Sequence, residues 1–252
     1  MNPDAVIATV ITVVLAGGLA IVLLLHWART PRALLALLLV GLASSALVNL
    51  LIKHPIATLV SHSAGIATDP SLASPPWYLA FALLLAPVTE EAIKAAPILL
   101  PRIRRLAATS SATSLWAGMT LGMSFGIGEA AYIGLKLATT HDPSPPSWYL
   151  LLPGFGGERL LATLAHGLMT TIVIRAILHP HRTALLGYLT AITAHVLCNT
   201  GPLLYGLHLV PATVAGAMFT VVVLVLTLIF ERWHRTELRN RPPTTTTLYQ
   251  TE

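Results

Sequence analysis

Long apolar runs separated by short polar or basic stretches dominate the chain, and they set the first expectation. Measured against the roughly 20 residues a helix needs to cross a bilayer, they predict seven helical spans: Asp4 to Trp27, Ala33 to Ile52, Trp77 to Leu100, Ser114 to Thr139, Glu158 to Leu178, Thr183 to Tyr205 and Val210 to Trp233. The predicted fold class is therefore all-α, a polytopic transmembrane helical bundle. It forms one transmembrane domain over residues 1–241 with no separate soluble domain. The first run follows "MNPD", which carries an acid and no Lys or Arg, and it is too long for a cleaved leader, so a retained anchor is expected. The piece "WYLLLPGFGG" is too short to cross and holds Pro153, Gly154, Gly156 and Gly157; it reads as an interfacial or re-entrant segment leading into the fifth span. The polar tail over 242–252 cannot bury a core and is expected to be disordered.

Basic residues orient these spans. Arg29 and Arg32 follow the first span, Arg102, Arg104 and Arg105 the third, Arg175 and Arg182 flank the turn after the fifth, and Arg232, Arg235, Arg239 and Arg241 follow the seventh. The alternate loops hold only Lys53, Lys136 and Arg159. Since Lys and Arg accumulate on the cytoplasmic side, the N-terminus is expected outside and the C-terminus inside. "SPPWYL" and "SPPSWYL" place Trp77, Tyr78, Trp148 and Tyr149 at the outer interface, where amphipathic rings settle.

Composition narrows the function classes. Hydrophobic residues make up 55% of the chain, charged ones only 10%, and mean hydropathy is +0.75. The net charge of +5 reflects orienting arginines rather than a nucleic-acid surface. The single cysteine, Cys198, rules out a disulfide framework or a cysteine metal cage.

Ionisable groups inside such runs cost about 2.5 to 3.5 kcal/mol each on insertion scales, so each one raises a functional question. "APVTEEAIKAAPILLP" puts Glu90, Glu91 and Lys94 in the third span, with Pro87 and Pro97 able to kink it on either side. The fourth span supplies Glu129, the fifth His166, and the sixth His195 and Asn199. At about 1.5 Å per residue all of them fall at overlapping depths, and the spacings of three and four within 90–94 and 195–199 let each set face one way. Gly118, Gly122, Gly126, Ala130 and Gly134 form a small-residue stripe beside Glu129 on which another helix can pack closely. Singly, a membrane histidine reads as a packing residue, Lys94 as a neutralising partner, and Glu158 with Arg159 as an ion pair near the outer boundary.

As a set, these groups suit hydrolysis. Two adjacent acids in low dielectric repel one another, and Lys94 relieves whichever it faces, so one ionised and one protonated carboxyl is expected. An ionised Glu can deprotonate water, while a His or an amide NH2 can donate to an oxyanion. No paired-aspartate or H-E-x-x-H pattern occurs, which disfavours aspartyl and zincin proteolysis.

At this point the motifs resemble a family. "EEAIK", "FGIGE", His166 and "HVLCN", in this order over residues 77–205, are similar to the motifs of PrsW-type membrane proteases, within the wider group of CAAX prenyl-endopeptidases and bacteriocin-immunity-type proteins. The resemblance implies a multi-pass protein of a bacterial cytoplasmic membrane, cleaving a membrane-anchored protein substrate such as an anti-sigma factor. Glu90, Glu91, Glu129, His166, His195 and Asn199 would be catalytic, with Lys94 setting charge. Ala130 stands where one form of the family has a second acid, and Lys94 where the prenyl-protease branch has Arg. No cofactor is implied: the spacing lacks a metal motif, although Glu and His can bind zinc. An ion-coupled transporter and a non-proteolytic immunity-like scaffold are the alternatives.

Overall fold

The computed structural model describes residues 1–28, 30–67, 70–139, 154–179 and 183–239, and it is all-helical, with no strand among the described residues. Among the described residues eight helices follow in order: α1 Pro3–Trp27, α2 Pro31–Ala64, α3 Pro76–Ala95, α4 Pro101–Ala107, α5 Ser111–Thr139, α6 Phe155–Leu178, α7 Ala184–Gly206 and α8 Ala212–Arg239. Four of them, α1, α2, α6 and α8, are long and apolar enough to cross a membrane. Local chemistry sets the ends. Proline opens α1, α2, α3 and α4, where its missing N–H costs nothing. The Asn2 side chain caps α1, and Gly65 closes α2 at φ 63°, a left-handed conformation that glycine adopts freely.

Two elements depart from the sequence expectation. The second does not stop at Ile52: α2 continues to Ala64 through a π-helical stretch, Leu47–Lys53, so Lys53 lies in a helix rather than an outer loop. The third stops early, because Pro97 has no N–H to donate. α3 gives way at Ala96 to a 3₁₀ turn, Ala96–Leu99, whereas Pro87 is absorbed inside the helix.

α5 is the central post, with buried residues around its whole circumference. Its glycine stripe explains the position. A methyl group on Gly118 would lie 2.5 Å from the Thr171 Cα, on Gly122 2.2 Å from the His166 carbonyl oxygen, and on Gly126 2.7 Å from the Thr163 Cα. α6 therefore rests directly on the backbone of α5, the close approach through which helices associate where no hydrophobic drive separates them from lipid. The opposite face of α5 receives α2 in the same way, with Gly128 against Ser45 and Gly41 against Leu121 and Ser124. Gly134 admits Thr9 of α1.

Outside this nucleus, α1 and α8 leave Val14, Val22, Leu224 and Leu228 exposed, a surface suited to lipid. Trp77 is likewise exposed, but Tyr78 is buried against Phe81 and so is no interfacial anchor. α8 is tied to the bundle by Glu237, which accepts from Ser111 Oγ at 2.5 Å and from Arg175 at 3.4 Å, while Arg175 stacks over the Trp233 ring. Arg29, Arg182, Arg241, Trp148, Tyr149, most of the proposed re-entrant piece and the C-terminal tail lie outside the described residues.

Candidate active site

Glu90, Glu91 and Lys94 occupy the last two turns of α3, and all three are buried. Adjacent helical residues diverge by about 100°, so the two acids address different neighbours. Glu91 Oε1 accepts from Lys94 Nζ at 2.5 Å and from His195 Nδ1 at 2.8 Å. Glu90 Oε1 accepts from Lys53, which reaches across from the π-helical stretch of α2. Each acid thus has its own ammonium partner: Lys94, expected to relieve whichever acid it faces, faces Glu91, and Lys53 pairs with Glu90.

Lys94 also fixes the second histidine. Its ammonium can only donate, so His166 Nδ1, at 2.9 Å, must accept. The proton of His166 then resides on Nε2, which donates to Glu129 Oε2 at 3.0 Å. Glu129 is further paired with Lys53 at 3.5 Å and Arg159 at 3.3 Å. The Phe125 ring completes the packing, 5.2 Å from Lys94 Nζ. Side chains from α2, α3, α5, α6 and α7 therefore form one connected polar cluster, assembled because α5 holds α6 close through Gly122 and Gly126.

A cavity of about 230 Å³ opens on this cluster. Lys53, Glu90, Glu129, Arg159, His166, His195 and Asn199 line it, together with apolar surface that includes Ala162, Met169 and Phe219. Glu91 and Lys94 do not line it; they stand behind Glu90 and the histidines. Glu90 Oε2 has no hydrogen-bond partner among the described residues and lies 3.8 Å from His195 Nε2. With Nδ1 donating to Glu91, a neutral His195 directs its Nε2 lone pair to the same point. The carboxylate behind the imidazole fixes tautomer and ring orientation together.

All six acid, histidine and asparagine candidates thus converge, with Lys94 adjoining. Two participants were missed by sequence reasoning. Lys53 and Arg159 read as outer-boundary charges; Arg159 does pair with Glu158, as anticipated, but it also holds Glu129. The only available signal for Lys53 was that "LVNLLIKHP" continues the apolar run with Asn49 and Lys53 four apart.

Glu90, His166 and His195 each offer a ligand atom within 4.8 Å of the others, a donor set that a divalent cation could take. Glu90 Oε2 and His195 Nε2 are available for it. His166 is not, unless it leaves Lys94 or Glu129. No known protein-family model, curated protein or solved structure matches this chain.

Proposed function

We propose that this chain is a PrsW-like, membrane-embedded endopeptidase that hydrolyses a peptide bond of a membrane-anchored protein, with Glu90 as the general base. The observation that carries this reading is the unequal placement of the paired acids: Glu90 lines the cavity and lies 3.8 Å from His195 Nε2, whereas Glu91 does not line it and bonds to His195 and Lys94. A water held between Glu90 Oε2 and His195 Nε2 gives its proton to Glu90 and attacks the scissile carbonyl carbon. The Asn199 amide, one turn beyond His195 and on the cavity wall, is the donor for the resulting oxyanion. As the tetrahedral intermediate collapses and the C–N bond breaks, the Glu90 carboxylic acid returns the proton to the leaving amine. His166 and Glu129 have their polar atoms engaged with one another and with cations, so they act as positioning groups.

The proposed topology has seven spans with the N-terminus outside. The basic-residue asymmetry behind it strengthens once Lys53 and Arg159 are assigned to the cluster, leaving Lys136, in the last turn of α5, as the remaining cation on that side. Regulated proteolysis of an anti-sigma factor at a bacterial cytoplasmic membrane is the role that the family resemblance suggests. If a divalent cation is bound, Glu90 and His195 would hold it and it would acidify the attacking water.

Glu90→Gln decides the matter. Removing a general base costs about 10²- to 10⁴-fold, so cleavage of a single-span reporter should vanish while the variant inserts and purifies normally. Wild-type cleavage by Glu90→Gln would overturn the assignment.

A further inference from the structure

We infer that the groove between α7 and α8, at the end of the bundle where α8 terminates, binds one anionic phospholipid, with an acyl chain between the helices and the phosphate on Arg232. α7 and α8 follow one another across residues 207–211 and run antiparallel. Next to that turn they meet backbone to backbone, since a methyl group on Gly201 would lie 2.7 Å from the Ala215 carbonyl oxygen. At the far end α7 leans instead on α6, where a methyl group on Gly187 would meet the Ala176 side chain at 2.3 Å. The two helices therefore diverge. The wedge between them is a groove of about 350 Å³, mostly apolar, lined by Ile172 and Ala176 of α6, Leu186 and Thr190 of α7, and Ile229 and Trp233 of α8. Leu186 is 65% exposed and Ile229 37%, so the groove opens outward to the bilayer rather than into the core.

The charge beside the groove selects its ligand. One face of α8 is apolar through Val221, Leu224, Val225 and Leu228, all exposed, and then turns basic at Arg232, Arg235 and Arg239, which are exposed as well. That change marks the depth at which acyl chains give way to headgroups. At about 100° per residue, Arg232 and Thr236 fall within about 60° of Ile229 around α8, so they border the mouth of the groove at headgroup depth. Arg235 is paired with Glu231 at 2.6 Å, and Glu237 is held by Ser111 and Arg175. Arg232 and Arg239 have no ion-pair partner among the described residues, which leaves two cations for a phosphate. Other occupants fit less well. A single turn of a partner helix, about 10 Å across and about 5.4 Å long, already exceeds the volume of the groove. A second copy of the chain in the same membrane orientation would set its own arginines against these at the same depth.

Native mass spectrometry of the purified, delipidated full-length protein tests this with dioleoylphosphatidylglycerol and dioleoylphosphatidylcholine as the two probes. One molecule of the phosphatidylglycerol should be retained in preference to the phosphatidylcholine. Arg232→Gln should weaken its binding about fivefold, the worth of one basic residue at a membrane surface. Thr190→Trp, which fills the groove from an exposed position of α7, should abolish the preference. In vesicles made with either lipid brominated along its chains, the phosphatidylglycerol should quench tryptophan emission more strongly, and the excess should disappear in Trp233→Phe, because Trp233 lines the groove. Equal retention of the two lipids overturns the inference, leaving only an ordinary lipid annulus. Unchanged phosphatidylglycerol binding by Arg232→Gln overturns it, and so does a preference that survives Thr190→Trp, since the arginines then act without the groove. A dimer in which neither brominated lipid quenches Trp233 also overturns it, by placing a second copy there.

Discussion

Lys94 and His166, 72 residues apart in the chain, share a 2.9 Å hydrogen bond that commits the imidazole to a single tautomer. Because the ammonium bonds to Glu91 and His166 and does not line the cavity, it belongs to the framework behind the cavity rather than to its wall.

Replacing Lys94 with Met therefore leaves a buried Glu91 without its ammonium and His166 Nδ1 without its donor. Breaking one half of a buried ion pair costs about 3–5 kcal/mol, and thermal denaturation in detergent should register it as a large fall in Tm. The double variant Lys94→Met/Glu91→Gln should recover much of that loss. Failure to recover would show that Lys94 acts mainly through packing on Phe125.

Glu91 and Glu90 are expected to separate kinetically. Glu91→Gln keeps an acceptor oxygen for His195 but loses the charge that fixes the imidazole, so kcat should drop about 10- to 100-fold, a typical effect for a group supporting a functional histidine. His195→Ala should fall further. Equal, complete loss in Glu90→Gln and Glu91→Gln would show that the two acids cannot be assigned separate tasks.

Gly122→Ala probes the seat of α6. The added methyl would meet the His166 carbonyl oxygen at 2.2 Å and Thr170 Oγ1 at 2.6 Å, so α6 must move outward. Overpacking of this kind costs about 1–3 kcal/mol, and displacing His166 from Glu129 should depress cleavage more than stability alone accounts for. Gly17→Ala, where no atom lies within 4 Å, is the control and should change neither.

The donor set of Glu90, His166 and His195 makes a metal measurement informative. With His166 bound at both nitrogens, we expect less than stoichiometric metal by elemental analysis and no loss of cleavage on chelator treatment. Stoichiometric zinc that disappears in His195→Ala would reassign Glu90 as a ligand.

Much of the site was legible because ionisable side chains in apolar runs are conspicuous. Glu90, Glu91, Glu129, His166 and His195 announce themselves by cost alone, and helical rise puts them at one depth. The glycine stripe of α5 likewise foretold a close helix approach. What could not be read was pairing. Lys53 looked like the end of a span because apolar runs carry no mark of a π-helical turn, and its register depends on Asn49, Ser45 and Gly128 meeting in space. Arg159 followed an ordinary i, i+1 ion pair with Glu158, which hid its second contact with Glu129. Tyr78 sat in an aromatic pattern typical of an interface, yet it turns inward, since a pattern of residue types does not say which way a ring faces.

The hydrogen bonds run in unbroken succession from Glu129 through His166, Lys94 and Glu91 to His195, crossing from α5 to α6, back to α3 and on to α7. A line of that kind behaves as one unit under mutation. Once any link is cut, the groups on either side have already lost their alignment, so a second cut should cost less than it does alone. Free energies from single substitutions along this line will consequently sum to more than the line is worth, and only paired substitutions can apportion it.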